Sequence, residues 1–103
     1  MRVLRKDPGK KAEWVEIENT LEALQEAVGG NIEAVAVCED LVILCNEEGR
    51  INGLPYNCTL FGAQWFGTLL FCGVDGEEFD ALDADVMMEF LKVMGREKDD
   101  TCR

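Results

Sequence analysis

The chain has 103 residues, of which 48% are apolar and 30% charged, and its 21 acidic and 10 basic residues give a net charge of −11 at pH 7. This size and composition predict one compact domain, and the negative charge disfavours direct binding to nucleic acid or anionic lipid. The longest apolar run, Leu41 to Cys45, is far shorter than the roughly 20 residues of a membrane-spanning helix. The basic N-terminus lacks the apolar stretch of a signal peptide, so we expect a cytoplasmic protein without membrane association.

The charge is unevenly distributed along the chain. Residues Glu13 to Leu91 include seventeen acidic residues and a single base, Arg50, whereas the first twelve residues carry five bases and one acid. A domain this acidic attracts basic protein surfaces or cations. The charge therefore favours a protein partner over a nucleic-acid partner.

Cysteine usage indicates free thiols and no metal site. The five cysteines are odd in number, and a reducing compartment keeps thiols unpaired. The chain has no histidine and no pair of cysteines two residues apart, so the usual zinc-ligand spacings are absent and we predict neither a metal nor another cofactor. Three of the cysteines, Cys38, Cys45 and Cys72, lie in or beside apolar runs, so we expect them to be buried.

The chain begins with a predicted β-hairpin followed by a helix. Arg2 to Lys6 and Glu13 to Glu18 read as strands around a Pro-Gly turn at Asp7 to Lys10. Asn19 is the predicted helix cap, with Glu22 three residues later completing a capping box. Gly29 and Gly30 then provide a left-handed stop. The apolar face of the helix is expected to comprise Leu21, Leu24 and Val28.

Two central strands are predicted next. Ile32 to Cys38 and Leu41 to Cys45 are apolar on both faces and are separated by only two residues, so they should pair antiparallel in the middle of a sheet. The helix would cover one side, and further strands or loops would cover the other. Asn46 to Gly49 is predicted to be a turn, with Gly49 at a position of positive φ.

Later elements follow from turn residues and apolar runs. Arg50 to Leu54 is predicted to be a short edge strand that ends at Pro55, because proline cannot donate to a ladder. A loop through Tyr56, Asn57 and Cys58 then leads to a buried strand over Phe66 to Gly73. An Asp-Gly turn at residues 75 and 76 allows Glu77 to Asp80 to pair back.

A second helix is predicted at the C-terminal end of the domain. Asp83 is its expected cap, Gly95 its end, and residues 96–103 a charged tail. The sum is an α+β fold over residues 1–95, in the order ββαββ(β)ββα, with a mainly antiparallel sheet of five to six strands and two helices packed on it. The apolar stripe of the helix consists of Val86, Met87, Phe90, Leu91 and Met94.

Several segments carry a resemblance to a known family. They are Leu21 to Glu33, Asn46 to Gly49, Leu54 to Asn57, and Gly67. Together they resemble domain-of-unknown-function family 3846, over a span from Pro8 to the acidic opening of the last helix. The resemblance implies a small protein of bacteria, their phages or conjugative elements, with no established biochemical activity. The sequence departs from the family pattern between Cys58 and Trp65, where an apolar segment could pack over the sheet or form an exposed patch.

One polar constellation is a candidate ligand or partner site. If the turns around the central strands lie at the same end of the sheet, their side chains could bind cationic groups of a partner or a hard cation. The competing interpretation is turn chemistry, with Asn46 bonding its own turn. The candidate binding residues are Glu33, Asn46, Glu47, Glu48, Arg50 and Asn57. Residues assigned to turns, caps or strand ends are Gly9, Asn19, Gly29, Gly30, Gly49, Pro55, Gly67 and Asp83.

These observations predict a binding protein without catalytic residues. No histidine, nucleophile motif or phosphate loop is present in the sequence. We expect an acidic accessory protein of a phage, mobile element or related bacterial locus that binds a protein partner, with homodimerisation plausible because apolar strands exceed what a small core covers. The alternatives are a metabolite or nucleotide binder, with Arg50 and the basic hairpin needed for an anion, and a mimic of DNA.

Overall fold

A computed structural model describes residues 1–76, 78–83, 85 and 86 of the chain. Within these residues the elements are β1 (Arg2–Lys6), β2 (Glu13–Glu16), α1 (Leu21–Val28), β3 (Ile32–Cys38), β4 (Leu41–Asn46), β5 (Tyr56–Leu60), β6 (Ala63–Phe66), β7 (Leu69–Asp75) and β8 (Glu78–Asp80). None of the helices described is long and apolar enough to span a membrane.

The main sheet has the strand order β2-β1-β7-β4-β3, and every neighbouring pair is antiparallel. β8 pairs with β7 beyond this path, while β5 and β6 form a separate hairpin. The predicted α+β class with a mainly antiparallel sheet is therefore confirmed. The described part of the chain contains one helix, α1. Asp83 accepts a hydrogen bond from the Asp85 backbone N–H at 2.7 Å, and residues 85 and 86 are in helical conformation, but the rest of the predicted second helix and the tail lie outside the described residues.

The sheet is covered on both faces, as its apolar strands require. On one face, Leu24 and Val28 of α1 pack against alternate residues of β4 and β7. On the other, Leu60 and Trp65 of the β5–β6 hairpin pack against the intervening residues, including Ile43 and Phe71. The doubly covered strands β4 and β7 are therefore buried along nearly their whole length, which explains their uninterrupted apolar runs.

Helix α1 begins one residue later than the sequence analysis predicted. The N-cap is Thr20, whose hydroxyl accepts a hydrogen bond from the Ala23 N–H at 3.2 Å. Asn19 instead donates to the Phe79 carbonyl at 3.0 Å and ties the helix entry to β8, so the predicted Asn19 cap is wrong. Leu21 is 60% exposed and lies outside the apolar face.

The predicted glycine stop is confirmed at one of its two residues. Gly29 has φ +78° and caps the helix in the left-handed conformation. Gly30 has no positive φ. It allows close packing, because a Cβ there would lie 2.8 Å from Asn46 Nδ2.

Strand β3 has its predicted bounds but lies at the edge of the sheet. Among the described strands its one partner is β4, and β7 lies on the other side of β4. The prediction of a central position is therefore wrong, and Cys38 at its end is exposed rather than buried. The predicted antiparallel pairing with β4 is confirmed, with a register shift between Ala36 and Cys38.

The segment between β4 and β5 is a series of turns rather than an edge strand over Arg50 to Leu54. The Leu54 N–H bonds the Gly49 carbonyl at 2.9 Å, which closes the loop. The positive φ lies at Gly53 (+71°), not at Gly49; Gly49 is buried, and a Cβ there would lie 3.1 Å from the Phe66 carbonyl. Pro55 precedes strand β5 instead of ending a strand.

The β5–β6 hairpin replaces the predicted loop at Tyr56 to Cys58. Its turn is Phe61-Gly62, with φ +55° and +74°. The strand predicted over Phe66 to Gly73 is divided at Gly67 (φ +79°) into the end of β6 and the start of β7. The other predicted hairpins are confirmed: β1 pairs with β2 across a turn containing Gly9 (φ +74°), and β8 pairs back on β7. Residue 77 lies outside the described residues.

Candidate functional site

An open groove of about 320 Å³ lies between strand β6 and the β3–β4 end of the sheet. Its floor is apolar and its rim is charged. Val35 of β3 and Cys45 of β4 face β6 because they alternate with residues that face α1. The β6 wall consists of Ala63, Gln64, Trp65 and Phe66, and the rim includes Glu33, Glu47 and Arg50.

The apolar part of the groove is chemically inert. Trp65 is 8% exposed and donates its indole N–H to the Leu60 carbonyl at 3.2 Å, so its one polar atom is satisfied. Burial, with a smaller contribution from the charge of Glu33, raises the pKa of the Cys45 thiol to about 11. The thiol is therefore neutral near pH 7 and is neither a nucleophile nor a thiolate ligand there.

Two exposed carboxylates form the acidic part of the rim. Glu33 lies opposite Cys45 in the β3–β4 ladder, and Glu47 follows β4 directly. Asn46 fixes this corner: its Nδ2 donates to the Val28 carbonyl at 3.3 Å, and its Oδ1 accepts from the Glu48 N–H at 2.8 Å. Asn46 is therefore a turn residue that joins the helix end to the acidic rim.

Arg50 forms the opposite part of the rim and is held against β6. Its guanidinium donates to Gln64 Oε1 at 2.9 Å and lies 5.0 Å from the centre of the Phe66 ring. Phe66 in turn meets Tyr56 edge to face at 5.8 Å. The single base of the acidic region thus covers an aromatic ring with its cation, an arrangement of cation–π type.

The structure brings four of the six predicted site residues to the groove and leaves two elsewhere. Glu33, Asn46, Glu47 and Arg50 line it, whereas Glu48 and Asn57 do not. Asn57 is buried and donates to the carbonyls of Lys6 at 2.8 Å and Gly67 at 2.7 Å. It fastens the hairpin to β1 and to the β6–β7 connection.

Sequence reasoning missed the apolar half of the groove. Its signal was the aromatic segment around Leu60 to Phe66, for which packing and exposure were both open. The structure shows both: Leu60 and Trp65 are buried, while Phe61 is 41% exposed. The assignment of Trp65 and Phe66 to the groove needs the three-dimensional position of β6 against β3, which no local pattern contains.

Three of the five basic N-terminal residues lie on β1, away from the groove in the strand order, and already contact other groups. Arg2 lies over the Trp14 ring at 4.4 Å, Arg5 Nε is 3.0 Å from Asp7 Oδ1, and Lys6 Nζ donates to the Asp7 carbonyl at 3.0 Å. Burial alone would raise the pKa of Asp7, but hydrogen bonds from Thr68 and Arg5 lower it below its ordinary value.

Among the described residues, no group of three or more metal-ligating side chains is close enough to hold a metal ion.

The fold and groove define a small α+β protein with an acidic-rimmed apolar surface. A family model described as a domain of unknown function, DUF3846, matches residues 1–95. The chain belongs to this family, as the sequence resemblance predicted. No curated protein matches the chain, and no solved structure matches it.

Proposed function

We propose that the chain is a protein-binding module whose groove accepts an extended segment of a partner, with an apolar side chain on the floor and a basic side chain on the rim. The observation that carries the proposal is the juxtaposition of Val35, Trp65 and Phe66 with the exposed carboxylates of Glu33 and Glu47. An apolar centre with a polar rim is the usual anatomy of a protein interface.

Charge supports a basic rather than an acidic segment. The net charge of −11 steers cationic surfaces toward the protein. Arg50, the base nearest the groove, is already bonded to Gln64 and stacked on Phe66. An anionic nucleotide would have to displace these contacts and approach two carboxylates, so the arrangement disfavours it.

A small molecule is the second candidate. The groove volume of about 320 Å³ lies near the lower limit of the roughly 300–1,000 Å³ of ligand pockets. A cationic or neutral metabolite could bind the same charged rim.

The main proposal includes a cytoplasmic setting and an origin in a bacterium, phage or mobile element. These parts of it rest on the charge and the family resemblance.

Fluorescence titration tests the groove directly. In a Trp14→Phe background, Trp65 is the remaining tryptophan and reports on the floor. We expect a decapeptide of alternating lysine and valine to change Trp65 emission, and one of alternating glutamate and valine to leave it unchanged. Added salt should weaken the lysine peptide, since screening reduces exposed charge attraction.

A charge-matched pair of variants separates the groove from general acidity. Glu33→Gln/Glu47→Gln and Glu22→Gln/Glu26→Gln each remove two negative charges, at the groove and on α1 respectively. We expect the first to weaken peptide binding about five- to thirtyfold, from two lost pairings of about 0.5–1 kcal/mol each, and the second to have little effect. Equal weakening by both would reject the groove as the docking site. Thermal stabilisation by a metabolite panel, without any peptide response, would favour the second candidate.

A further inference from the structure

We infer that the outer edge of β3 pairs antiparallel with β3 of a second copy of this chain, around Val35, so that the two grooves lie on one continuous sheet. This inference goes beyond the groove ligand and does not depend on it. β3 is seven residues long and, among the residues that the structure describes, pairs on one side only. A long edge strand with few charges is a template for another strand.

The ladder to β4 determines which backbone groups of β3 face outward. The Glu47 N–H bonds the Asn31 carbonyl at 2.9 Å, at the pairing that continues the β3–β4 register. Because bonded and non-bonded residues alternate in an antiparallel pair, Glu33 and Val35 face β4 with their backbone groups. Ile32, Ala34 and Ala36 direct theirs toward the open edge.

A two-fold axis at Val35 makes this edge complementary to itself. Ala34 of one copy then lies opposite Ala36 of the other, and both present outward N–H and C=O groups that can bond. Glu33 lies opposite Val37 of the second copy, so the two glutamates do not face each other. The register shift between Ala36 and Cys38 marks the end of the regular ladder and confines the pairing to its middle.

The side chains on both faces suit this arrangement. Ala34 and Ala36 are exposed on the α1 side, where small residues from the two copies would meet without a clash. On the groove side, Val35 would meet its symmetry mate, and Val37 of the second copy would extend the apolar floor beside Glu33. The dimer would present two grooves, which would favour a bivalent partner by raising effective concentration.

Site-directed crosslinking tests the register. Opposed residues in a non-hydrogen-bonded pair have Cα atoms about 4.5 Å apart, within disulfide range. In a background with Cys38→Ser and Cys102→Ser, we expect Val35→Cys to form a covalent dimer under mild oxidation and the matched Ala34→Cys to form little. Failure of Val35→Cys to crosslink, or equal crosslinking of both variants, would overturn the proposal.

Sedimentation velocity supplies a second measurement that needs no cysteine. We expect a dimer whose population rises with salt, because two copies of charge −11 repel each other less when screened. Ala34→Pro removes an outward donor and should reduce dimerisation at least tenfold, while Ala34→Val keeps the donor and should not. Should Ala34→Pro unfold, Ala36→Asp adds like charge at the edge and should show the same loss. A monomer at all salt concentrations would overturn the dimer while leaving peptide binding at the groove intact.

Discussion

The two edges of the main sheet are built differently. β2 is four residues long and two of these are glutamates, whereas β3 is seven residues long with one glutamate. At the β2 edge, Arg2 lies over Trp14, and the N-terminal ammonium is 3.7 Å from Glu16. Short length and charge protect an edge from adding another strand. The charged residues of β2 therefore disfavour pairing of another strand at that edge, whereas β3 has fewer charges to oppose such pairing.

The variant with the largest expected effect removes buried apolar contacts in β4, the strand that pairs with β3. Ile43 of β4 is fully buried, pairs with Val35 of β3 and Phe71 of β7, and packs in the same cluster as the β5–β6 hairpin. We expect Ile43→Ala to reduce the free energy of unfolding by about 2–5 kcal/mol through the lost burial and the cavity. Urea denaturation measures the change.

The control for that variant lies beneath the other edge. Val15 of β2 is half-buried and pairs with Val3, so Val15→Ala should cost only about 1 kcal/mol. A loss at Val15 as large as that at Ile43 would show that the two sides contribute equally to stability.

The sequence predicted the strands at both edges and their hairpin partners, and it failed on the position of β3. The bounds of β3 follow from its own residues, but its edge position depends on β7, which inserts between β1 and β4 from later in the chain. The β5–β6 hairpin escaped prediction because its turn has Phe61 at φ +55°, a position where asparagine and glycine are the usual residues. Local propensity contains neither fact.

The candidate site was predictable to a similar degree. Glu33, within β3, and Glu47, directly after β4, were predicted as site residues because they lie close to the ends of apolar strands. Trp65 was not predicted, because its role depends on β6 lying across the groove from the β3–β4 end of the sheet. Asn57 resembled a ligand residue in the sequence, yet its amide is used by two backbone carbonyls. The sequence alone does not distinguish a buried structural amide from one that binds a ligand.

Gly9 and Gly67 differ in the space around them, and substituting each tests how tightly its connection is packed. Both Gly9, between β1 and β2, and Gly67, beside the groove, have a positive φ of +74° and +79°. A Cβ at Gly9 meets nothing within 4 Å, while one at Gly67 lies 2.8 Å from Leu54 Cδ1. We expect Gly9→Ala to cost about 1 kcal/mol from backbone strain, and Gly67→Ala to cost roughly 1 kcal/mol more from the contact.

Thermal denaturation of both alanine variants measures this difference. Because Leu54 ends the loop that carries Arg50, Gly67→Ala should also shift Trp65 emission, and Gly9→Ala should not. Identical losses for the two variants would mean that Leu54 moves aside freely and that the loop beside the groove is soft.

The hydrogen-bonded carboxylate of Asp7, beside β1, should make the free energy of unfolding depend on pH in the acidic range. Asp7 accepts hydrogen bonds from Thr68 at 2.7 Å and Arg5 at 3.0 Å, which lower its pKa below the ordinary value of 3.8. A carboxylate with a lowered folded-state pKa stabilises the fold above its unfolded pKa, and this contribution is lost as pH falls through the folded pKa. We expect Asp7→Asn to cost about 1–2 kcal/mol near pH 7.

Urea denaturation as a function of pH measures that contribution. The difference between Asp7→Asn and the parent chain should be constant from neutral pH down to about 4 and should shrink at lower pH. Asp40→Asn, in the exposed β3–β4 turn, is the control and should change stability little. A pH-independent deficit for Asp7→Asn would assign the effect to packing of the side chain and not to its charge.

The smallest effect expected is kinetic and concerns the thiols on the β3 side. Cys38 is the exposed one of the four cysteines in the described residues, whereas burial raises the pKa of Cys45 to about 11 and that of Cys72 to about 12. Because the thiolate is the reactive form, iodoacetamide should modify Cys38 well before Cys45, Cys58 or Cys72, as peptide mapping by mass spectrometry would show. Cys38 lies just beyond the proposed pairing around Val35, so its rate should fall as protein concentration rises. A rate independent of concentration in the parent chain and in Ala34→Pro alike would mean that the β3 edge stays open in solution.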